Sequence, residues 1–455
     1  MSDSAEDREY ARAAELVTKE LEQRLGEGAP QPRLEPTRRV VELLGDVHRS
    51  YPVIQIAGTN GKTSTSRLIE SILRAYGLRT GLFTSPHLIS FNERIQIDGE
   101  PIANDKLLEN WLDIKPYVDM VDNELMAKGE ARLTYFEVLT ILAFASFADA
   151  PVDVAVVEVG LGGEWDSTNV ADAVVAVFTP IGLDHTDRLG NTIEAIARTK
   201  SGIIKPAAIV VSATQTPEAA AVLAEAAEFT ESTLIVVGND VQLSASVAVG
   251  GQMLSIKGTA GQYSEIFLGL YGEHQAQNAA LAIAAVESFL GGSSISLDPE
   301  VLTEAFASVE SPGRLQLVAK HPSVLVDAAH NPHGARALAD ALGSFFNFDE
   351  VVLVFSALAD KDAEGILREI APHVTSVIVT TVDSPRATDV AELARIASGV
   401  VGAENVEVIP DSAVAVAAAR ARVADSDRGA VLVAGSIVLV GEVMAQAAAT
   451  KGWKK

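Results

Sequence analysis

From Ile54 to Ser66 the chain reads IQIAGTNGKTSTS, a β-branched apolar run followed by glycines, a lysine and several hydroxyl-bearing residues. These residue types in this order suit the gripping of phosphate. Glycines let backbone N–H groups converge on phosphate oxygens, a helix N-terminus adds positive potential, and a lysine neutralises the β- and γ-oxygens. The stringent phosphate-loop pattern asks for a glycine five positions before the Gly-Lys pair, and Ile56 holds that place. What remains is Gly58-Thr59-Asn60-Gly61-Lys62-Thr63, with Ser64 next, between a strand pattern and a helical pattern carrying Leu68, Ile69, Ile72 and Leu73 on one side. Taken alone, the hexapeptide also suits a plain strand-turn-helix connection with a solvated lysine.

Other residues could join such a loop. Glu158 ends the apolar run DVAVVEV, and Asp184 and His185 follow VVAVFTP. Both places are carboxyl ends of expected strands, where doubly wound sheets put their ligands. A carboxylate and a neutral imidazole beside bound phosphate suit a divalent cation; Mg²⁺ prefers oxygen, so His185 is the less expected partner and, taken alone, reads rather as a turn histidine. Lys200, in ARTKSGIIK, reads as an exposed helix lysine. Phe136, in TYFEVLTILAF, suits either a helix core or an aromatic stacking face. In isolation Asn278 reads as a helix-surface amide, Arg314 as a solvated linker cation and Asp327 as a strand-end turn residue.

The elements that must position these residues alternate along the chain. VIQIA, TGLFTS, DVAVVEV, VVAVFTP and AIVVSA are separated by amphipathic or Ala-rich segments, which predicts βαβ units and a mostly parallel sheet. Between Ser244 and Leu270 the near period-2 alternation with turn glycines predicts a small antiparallel hairpin region. HQAQNAALAIAAVESFL then predicts a helix closed by Gly291 and Gly292. A second alternating series begins after Pro312 and Gly313: SVLVDAAH, VVLVFSA, SVIVTT, NVEVIP and AVLVAGS. The boundary is expected near residues 306–313, giving domains 1–308, with N-terminal helices, and 309–455.

Composition sets the surroundings. A chain of 455 residues exceeds what one hydrophobic core usually organises. Its apolar fraction of 48% with 21% charged residues is that of a soluble globular protein, and no apolar run reaches the roughly 18 residues of a membrane span. The acidic start resembles no secretory signal, so a cytoplasmic location is expected. Without cysteine, disulfides, thiolate metal sites and thioester intermediates are excluded. A net charge of −26, from 35 basic and 61 acidic residues, argues against nucleic acid as a partner, so an anionic ligand must be met by local devices.

Eight further pieces accompany the loop in order: TSPHLISFNERI, LTYFEVLT, VVEVGLGGEWDSTN, TPIGLDHTDRLG, KSGIIK, GEHQAQNAALA, PGRLQ and DAAHNP. Together they resemble the folylpolyglutamate synthase and dihydrofolate synthase family, relatives of the Mur peptide ligases, from about residue 33 to the C-terminus. The resemblance implies an α/β fold: a phosphate-loop ATPase domain of Mur-ligase type, with a mostly parallel sheet and a small antiparallel one, and a C-terminal Rossmann-like domain. It implies ATP contacts at Thr59, Asn60, Gly61, Lys62, Thr63, Ser64, Asn278, Arg314 and Asp327, gripping the nucleotide from both domains. It implies Mg²⁺ held by Ser85, Glu158 and His185, with K⁺ as a further candidate ion, and a carbamylated Lys200. Lys62, His185 and Lys200 are then the catalytic candidates. Thr134, Tyr135, Phe136 and Glu137, with Trp165, Asp166 and Ser167, match segments that hold the pterin, and His330 and Ser436 are candidates for glutamate.

The implied reaction is ATP-dependent amide ligation by a monomer. A substrate carboxylate attacks the γ-phosphate, and the amine of L-glutamate displaces phosphate from the acyl phosphate, extending dihydropteroate or tetrahydrofolates. Two departures bear on the acceptor: Thr63-Ser64 after the Gly-Lys pair stands closer to the Mur ligases, and DAAHNP stands where many relatives have DGAHNP. Two alternatives stay open. A Mur-type ligase for a UDP-linked precursor needs a full N-terminal UDP-binding domain, whereas the 57 residues before Gly58 read as helices. A non-catalytic ATP-binding module would lack a catalytic element, whereas Lys62, Glu158, His185, Lys200 and Asp327 are all present.

Overall fold

The computed structural model describes residues 5–26, 31–292 and 294–449; the remaining positions of the expected domain spans lie outside the described residues. The chain divides into two compact units. One comprises Met1–Ser244, Ser255–Ile266 and Gln277–Val309, and the other Ala245–Leu254, Phe267–Ala276 and Glu310–Lys455.

The first unit is built on eight strands: β1 (Val53–Ala57), β2 (Thr80–Phe83), β3 (Ile95–Ile97), β4 (Glu100–Pro101), β5 (Val154–Glu158), β6 (Val175–Phe178), β7 (Ile209–Ser212) and β8 (Thr233–Val236). Their order is β4-β3-β2-β5-β1-β6-β7-β8. From β2 to β8 all neighbours pair in parallel, while β3 and β4 add an antiparallel edge. The parallel strands are buried on both faces, which is why β6, and β5 up to its terminal Glu158, are continuous apolar runs rather than alternating ones. Val53, Phe83, Ala155 and Val157 pack with Val138, Leu142 and Phe144 of helix Tyr135–Asp149. Ala57, Ala176 and Phe178 pack on the other face with Ile196 and Leu223.

Register matters more to the site than the layers do. Ile56 of β1 lies beside Glu158 of β5, and Ala57 beside Phe178 of β6. The loops leaving these three central strands therefore emerge side by side at one carboxyl edge. The expected N-terminal helices appear as Ala5–Glu22 and Glu35–Leu43.

Three strands, β9 (Gln242–Ala248), β10 (Gly251–Lys257) and β11 (Gln262–Leu268), form a separate sheet in the order β11-β10-β9. The expected helix over HQAQNAALAIAAVESFL spans Glu273–Gly291.

The second unit carries β12 (Gln316–Lys320), β13 (Ser323–Val326), β14 (Glu350–Phe355), β15 (Ser376–Val379), β16 (Val406–Val408) and β17 (Gly429–Ala434) in the order β12-β13-β17-β14-β15-β16. Five strands run parallel, with β12 antiparallel at the edge. Both units are thus α/β, and the fold class expected from the alternation of strand and helix patterns is the one observed.

Candidate active site

The loop after β1 is shaped by two glycines that tolerate no side chain. Gly61 stands at the N-cap of helix Lys62–Ala75 with φ 88°, and a Cβ there would lie 2.7 Å from Asn278 Oδ1. Gly58 has φ 144°, and a Cβ would collide with Thr179 Oγ1 just beyond β6. Thr59 ties the loop to the same segment: its N–H donates to Pro180 O at 3.0 Å, and its hydroxyl donates to Gly182 O at 3.1 Å while accepting the Gly182 N–H at 2.9 Å. Lys62 Nζ folds back to donate to Gly58 O at 3.3 Å and Thr59 O at 3.1 Å. Ser64 is buried within the first helical turn.

Glu158, 2% exposed at the end of β5, faces this loop. Its carboxylate accepts the Thr63 hydroxyl at 2.9 Å and the Ser85 N–H at 3.4 Å. Thr63, Ser85 and Glu158 thereby form one oxygen-bearing group, the donor type that Mg²⁺ prefers. The expected third ligand, His185, lies on the loop after β6 with φ 49° at the start of a short helix, its Nε2 4.0 Å from Asp184 Oδ2. Among the described residues no group of three or more His, Cys, Asp or Glu side chains is placed to hold a metal ion.

Two residues read as exposed are buried. Lys200 is not a solvated helix lysine: it is 5% exposed, and its Nζ donates to Gly58 O at 2.8 Å. Burial foremost, then the charge of Lys62, lowers its pKa to about 7, against the opposing pull of Asp184 and Asp166. Its turn of helix Ile193–Ser201 runs into buried Ile203 and Ile204, and that apolar continuation is the signal that argues against exposure. Asn278 is likewise buried against Gly61 rather than lying on a helix surface.

Of the pterin candidates, the Trp165–Ser167 loop lies beside the turn of Lys200, and Thr134–Glu137 open the helix whose Thr140 meets Ser167. Thr134 and Glu137 form a capping box: the Thr134 hydroxyl accepts the Glu137 N–H at 3.2 Å and the Glu137 carboxylate accepts the Thr134 N–H at 2.7 Å. That carboxylate also pairs with Arg33 at 2.9 Å, a partner not anticipated. Tyr135 is buried edge-on to Phe91 with the Arg94 guanidinium 5.4 Å from its ring centroid. Phe136 is half-buried, its ring 5.8 Å from Phe83 and so close to Gly160 that a Cβ there would collide. Asp166 is buried and accepts from Leu161 N at 2.8 Å, Thr168 N at 3.0 Å and the Thr168 hydroxyl; burial still raises its pKa. Ser167 and Thr140 share a hydroxyl hydrogen bond of 2.8 Å, and Trp165 is half-buried. The loop is stitched to the turn of Lys200 through Glu164 N to Thr199 O, 2.8 Å, and Asn169 Nδ2 to Gly202 O, 3.0 Å.

In the second unit, Asp327 follows β13 and accepts from Leu315 N at 2.7 Å and Ala329 N at 2.8 Å. Burial raises its pKa while half-buried Arg314 opposes that shift. His330 Nδ1 lies 2.9 Å from Ala328 O. Ser436 is buried just beyond β17, which pairs with β13 through Val326 and Val433. Asp327, His330 and Ser436 therefore share the carboxyl edge of adjacent strands.

Comparison with known proteins places this arrangement. Residues 56–286 match the Mur ligase middle domain, and residues 313–437 the glutamate ligase domain of Mur ligases. The dihydrofolate synthase/folylpolyglutamate synthase of Mycobacterium tuberculosis is 44% identical over 445 residues, covering 92% of this chain and 91% of the relative. The structure of M. tuberculosis folylpolyglutamate synthase complexed with ADP and AMPPCP superposes with a TM-score of 0.91 at 43% identity, covering 96% of this chain and 99% of that one. E. coli FolC in complex with DHPP and ADP gives a TM-score of 0.79 at 32% identity, over 92% and 93% of the two chains. With two domain matches in order and near-complete coverage on both sides, the chain belongs to the dihydrofolate synthase/folylpolyglutamate synthase family of Mur-type ligases.

Proposed function

We propose that this protein joins L-glutamate to dihydropteroate and to reduced folates at the expense of ATP, through an acyl phosphate. The observation that carries this reading is the convergence of Lys62 and Lys200 on one loop carbonyl, Gly58 O, beside the buried Glu158–Thr63–Ser85 group. An oxygen of the acceptor carboxylate forms a bond to the γ-phosphorus as the bridge to ADP breaks. The glutamate nitrogen then bonds to the acyl carbon, phosphate leaves, and the nitrogen loses its proton. No covalent enzyme nucleophile is needed, so the chain contributes position and charge.

Lys62 and the N–H groups of residues 60–64 bind the β- and γ-phosphates in this reading, with Thr59 shaping that loop, and Asn278, Arg314 and Asp327 hold the remainder of the nucleotide. Ser85, Glu158 and His185 would hold Mg²⁺, which neutralises phosphate oxygens when bound, with K⁺ as a second candidate ion. Phe136, with Thr134, Tyr135, Trp165, Asp166 and Ser167, seats the pterin; His330 and Ser436 meet glutamate. Glu137 supports that seat through its capping box and its pair with Arg33. Lys200, with a pKa near about 7, offers a neutral amine that adds CO₂ to give a carbamate and a released proton. The resulting anion replaces a buried cation next to the phosphate loop.

No helix among the described residues is long and apolar enough to cross a membrane. We place the enzyme in the cytoplasm as a monomer whose partners are ATP, glutamate and folates, not nucleic acid. Coupled ADP release with dihydropteroate, with tetrahydrofolate and with no acceptor tests the reading. Release dependent on glutamate and on a pteroate acceptor is expected, and release indifferent to both would overturn it.

A further inference from the structure

We propose that Gln215 is a positioning residue for phosphoryl transfer, bracing from behind the segment Thr179–Gly182 on which the phosphate loop is built. The proposal rests on the phosphate-loop reading above. Residues 179–182 are irregular backbone: the Thr179 N–H still donates to Ala57 O at the end of β1, 2.9 Å, and beyond it no strand ladder satisfies the segment. The remaining polar groups of the segment are held from two sides. On the loop side, Pro180 O accepts the Thr59 N–H, and Gly182 exchanges N–H and C=O hydrogen bonds with the Thr59 hydroxyl. On the far side, Gln215 Oε1 accepts the Ile181 N–H at 2.9 Å, and Nε2 donates to Thr179 O at 3.1 Å and to Ser212 Oγ at 3.2 Å.

Only a side-chain amide supplies a donor and an acceptor in this fork geometry. Ser212 lies at the end of β7, where it pairs with Phe178 of β6, so the brace is anchored to the sheet. The coupling to the chemistry is steric as well as polar. Gly58, whose carbonyl receives both Lys62 and Lys200, packs so closely on Thr179 that no Cβ fits between them. A Thr179 released from Gln215 shifts against Gly58, and His185, three residues beyond Gly182, shifts with the same segment. Misplacement on this scale degrades phosphoryl transfer without removing any group that touches substrate.

The test compares Gln215→Leu and Gln215→Glu with wild type and with Lys62→Ala. Affinity for AMPPCP with Mg²⁺ is measured by calorimetry, turnover with ATP and dihydropteroate varied separately, and amide exchange by mass spectrometry. For Gln215→Leu we expect an AMPPCP Kd and an ATP KM raised about tenfold and kcat lowered about tenfold, while the dihydropteroate KM changes less than about twofold. Amides 58–63 and 179–185 should exchange faster, and those of 133–140 should not. Gln215→Glu retains the acceptor and loses the donors, so its effect should be intermediate. Should Gln215→Leu fail to fold, Gln215→Glu and the wild-type protection of the Ile181 amide decide. Wild-type nucleotide affinity and kcat in the Gln215 variants, with Lys62→Ala unable to bind AMPPCP, would overturn the brace and leave the phosphate loop intact. Unimpaired AMPPCP binding by Lys62→Ala would overturn the phosphate loop, and the brace with it.

Discussion

Two ammonium groups reach Gly58 O, one from the loop itself and one from a helix 142 residues away in sequence. Their roles separate by environment. Lys62 is only partly buried and contacts backbone, so Lys62→Ala should leave the fold intact while lowering kcat by about 10²–10³, the scale for losing one charge-stabilising group. Coupled ADP release at saturating ATP, alongside a thermal melt, checks this, and near-normal turnover would discard the assignment. Lys200 carries a pKa lowered to about 7 in the folded protein against an ordinary value of 10.5. Between those values the unfolded chain binds more protons than the folded one, so stability rises with pH across that window. Below it, the full cost of the buried charge is present; above it, the cost is gone. In bicarbonate-free buffer, urea midpoints should therefore rise from about pH 7 to 10.5, with a slope of at most about 1.4 kcal/mol per pH unit, and Lys200→Met should lack that rise. With bicarbonate, intact-protein mass should show one added CO₂, and small carboxylic acids should partly rescue Lys200→Ala. An unmodified mass together with no rescue would remove the carbamate.

At the scale of elements, the chain declares its strands more openly than its supports. DVAVVEV and VVLVFSA were legible because strands buried on both faces must be continuously apolar, and they appear as β5 and β14. Gly58 and Gly61 were legible as turn glycines from their place between a strand pattern and a helix pattern, and both have positive φ. Helix Asn104–Ala127 was not legible: Pro116 interrupts its pattern, and packing with other helices outweighs that local signal. Glu287 was invisible for another reason, since one acid in an Ala-rich helix resembles a solvated residue. It is fully buried and accepts from Thr259 N, Thr259 Oγ1, Ala260 N, Gly261 N and Tyr263 OH, clasping the turn between β10 and β11. Those donors are close to Glu287 only in three dimensions, so no spacing in the sequence announces them. Glu287→Leu leaves the buried Tyr263 hydroxyl and several partly buried donors without their acceptor and should cost about 3 kcal/mol, whereas an exposed helix acid costs about 0.5 kcal/mol at most. Urea denaturation distinguishes these outcomes, and a midpoint matching wild type would deny the clasp a role in stability.

Across the whole molecule, 61 acids against 35 bases surround a site that must collect ATP, a pteroate and glutamate, all anions. Global attraction cannot recruit them, so binding falls to local groups, and raised salt should weaken substrate capture only modestly compared with a basic protein that relies on its overall field. The same economy bears on acceptor range. Among its described residues the chain carries a single candidate phosphate loop and a single Glu158–Thr63–Ser85 group, and Phe136, against Phe83 and Gly160, is the candidate aromatic seat. Dihydropteroate and a reduced folate already bearing glutamate present the same carboxylate chemistry at different distances from the pterin, so one phosphoryl site serves both if the ring occupies two overlapping positions or if a loop such as SPHLISFNERI moves. In the proposed reading Phe136, held between Phe83 and Gly160, fixes one ring position. Phe136→Ala should therefore raise the KM for dihydropteroate about tenfold, from the loss of a stacked aromatic contact, and affect glutamate addition to tetrahydrofolate less. Equal losses for both acceptors would mean a single shared ring position, and wild-type protein that ligates glutamate to one acceptor but releases no ADP with the other would rule out a bifunctional enzyme.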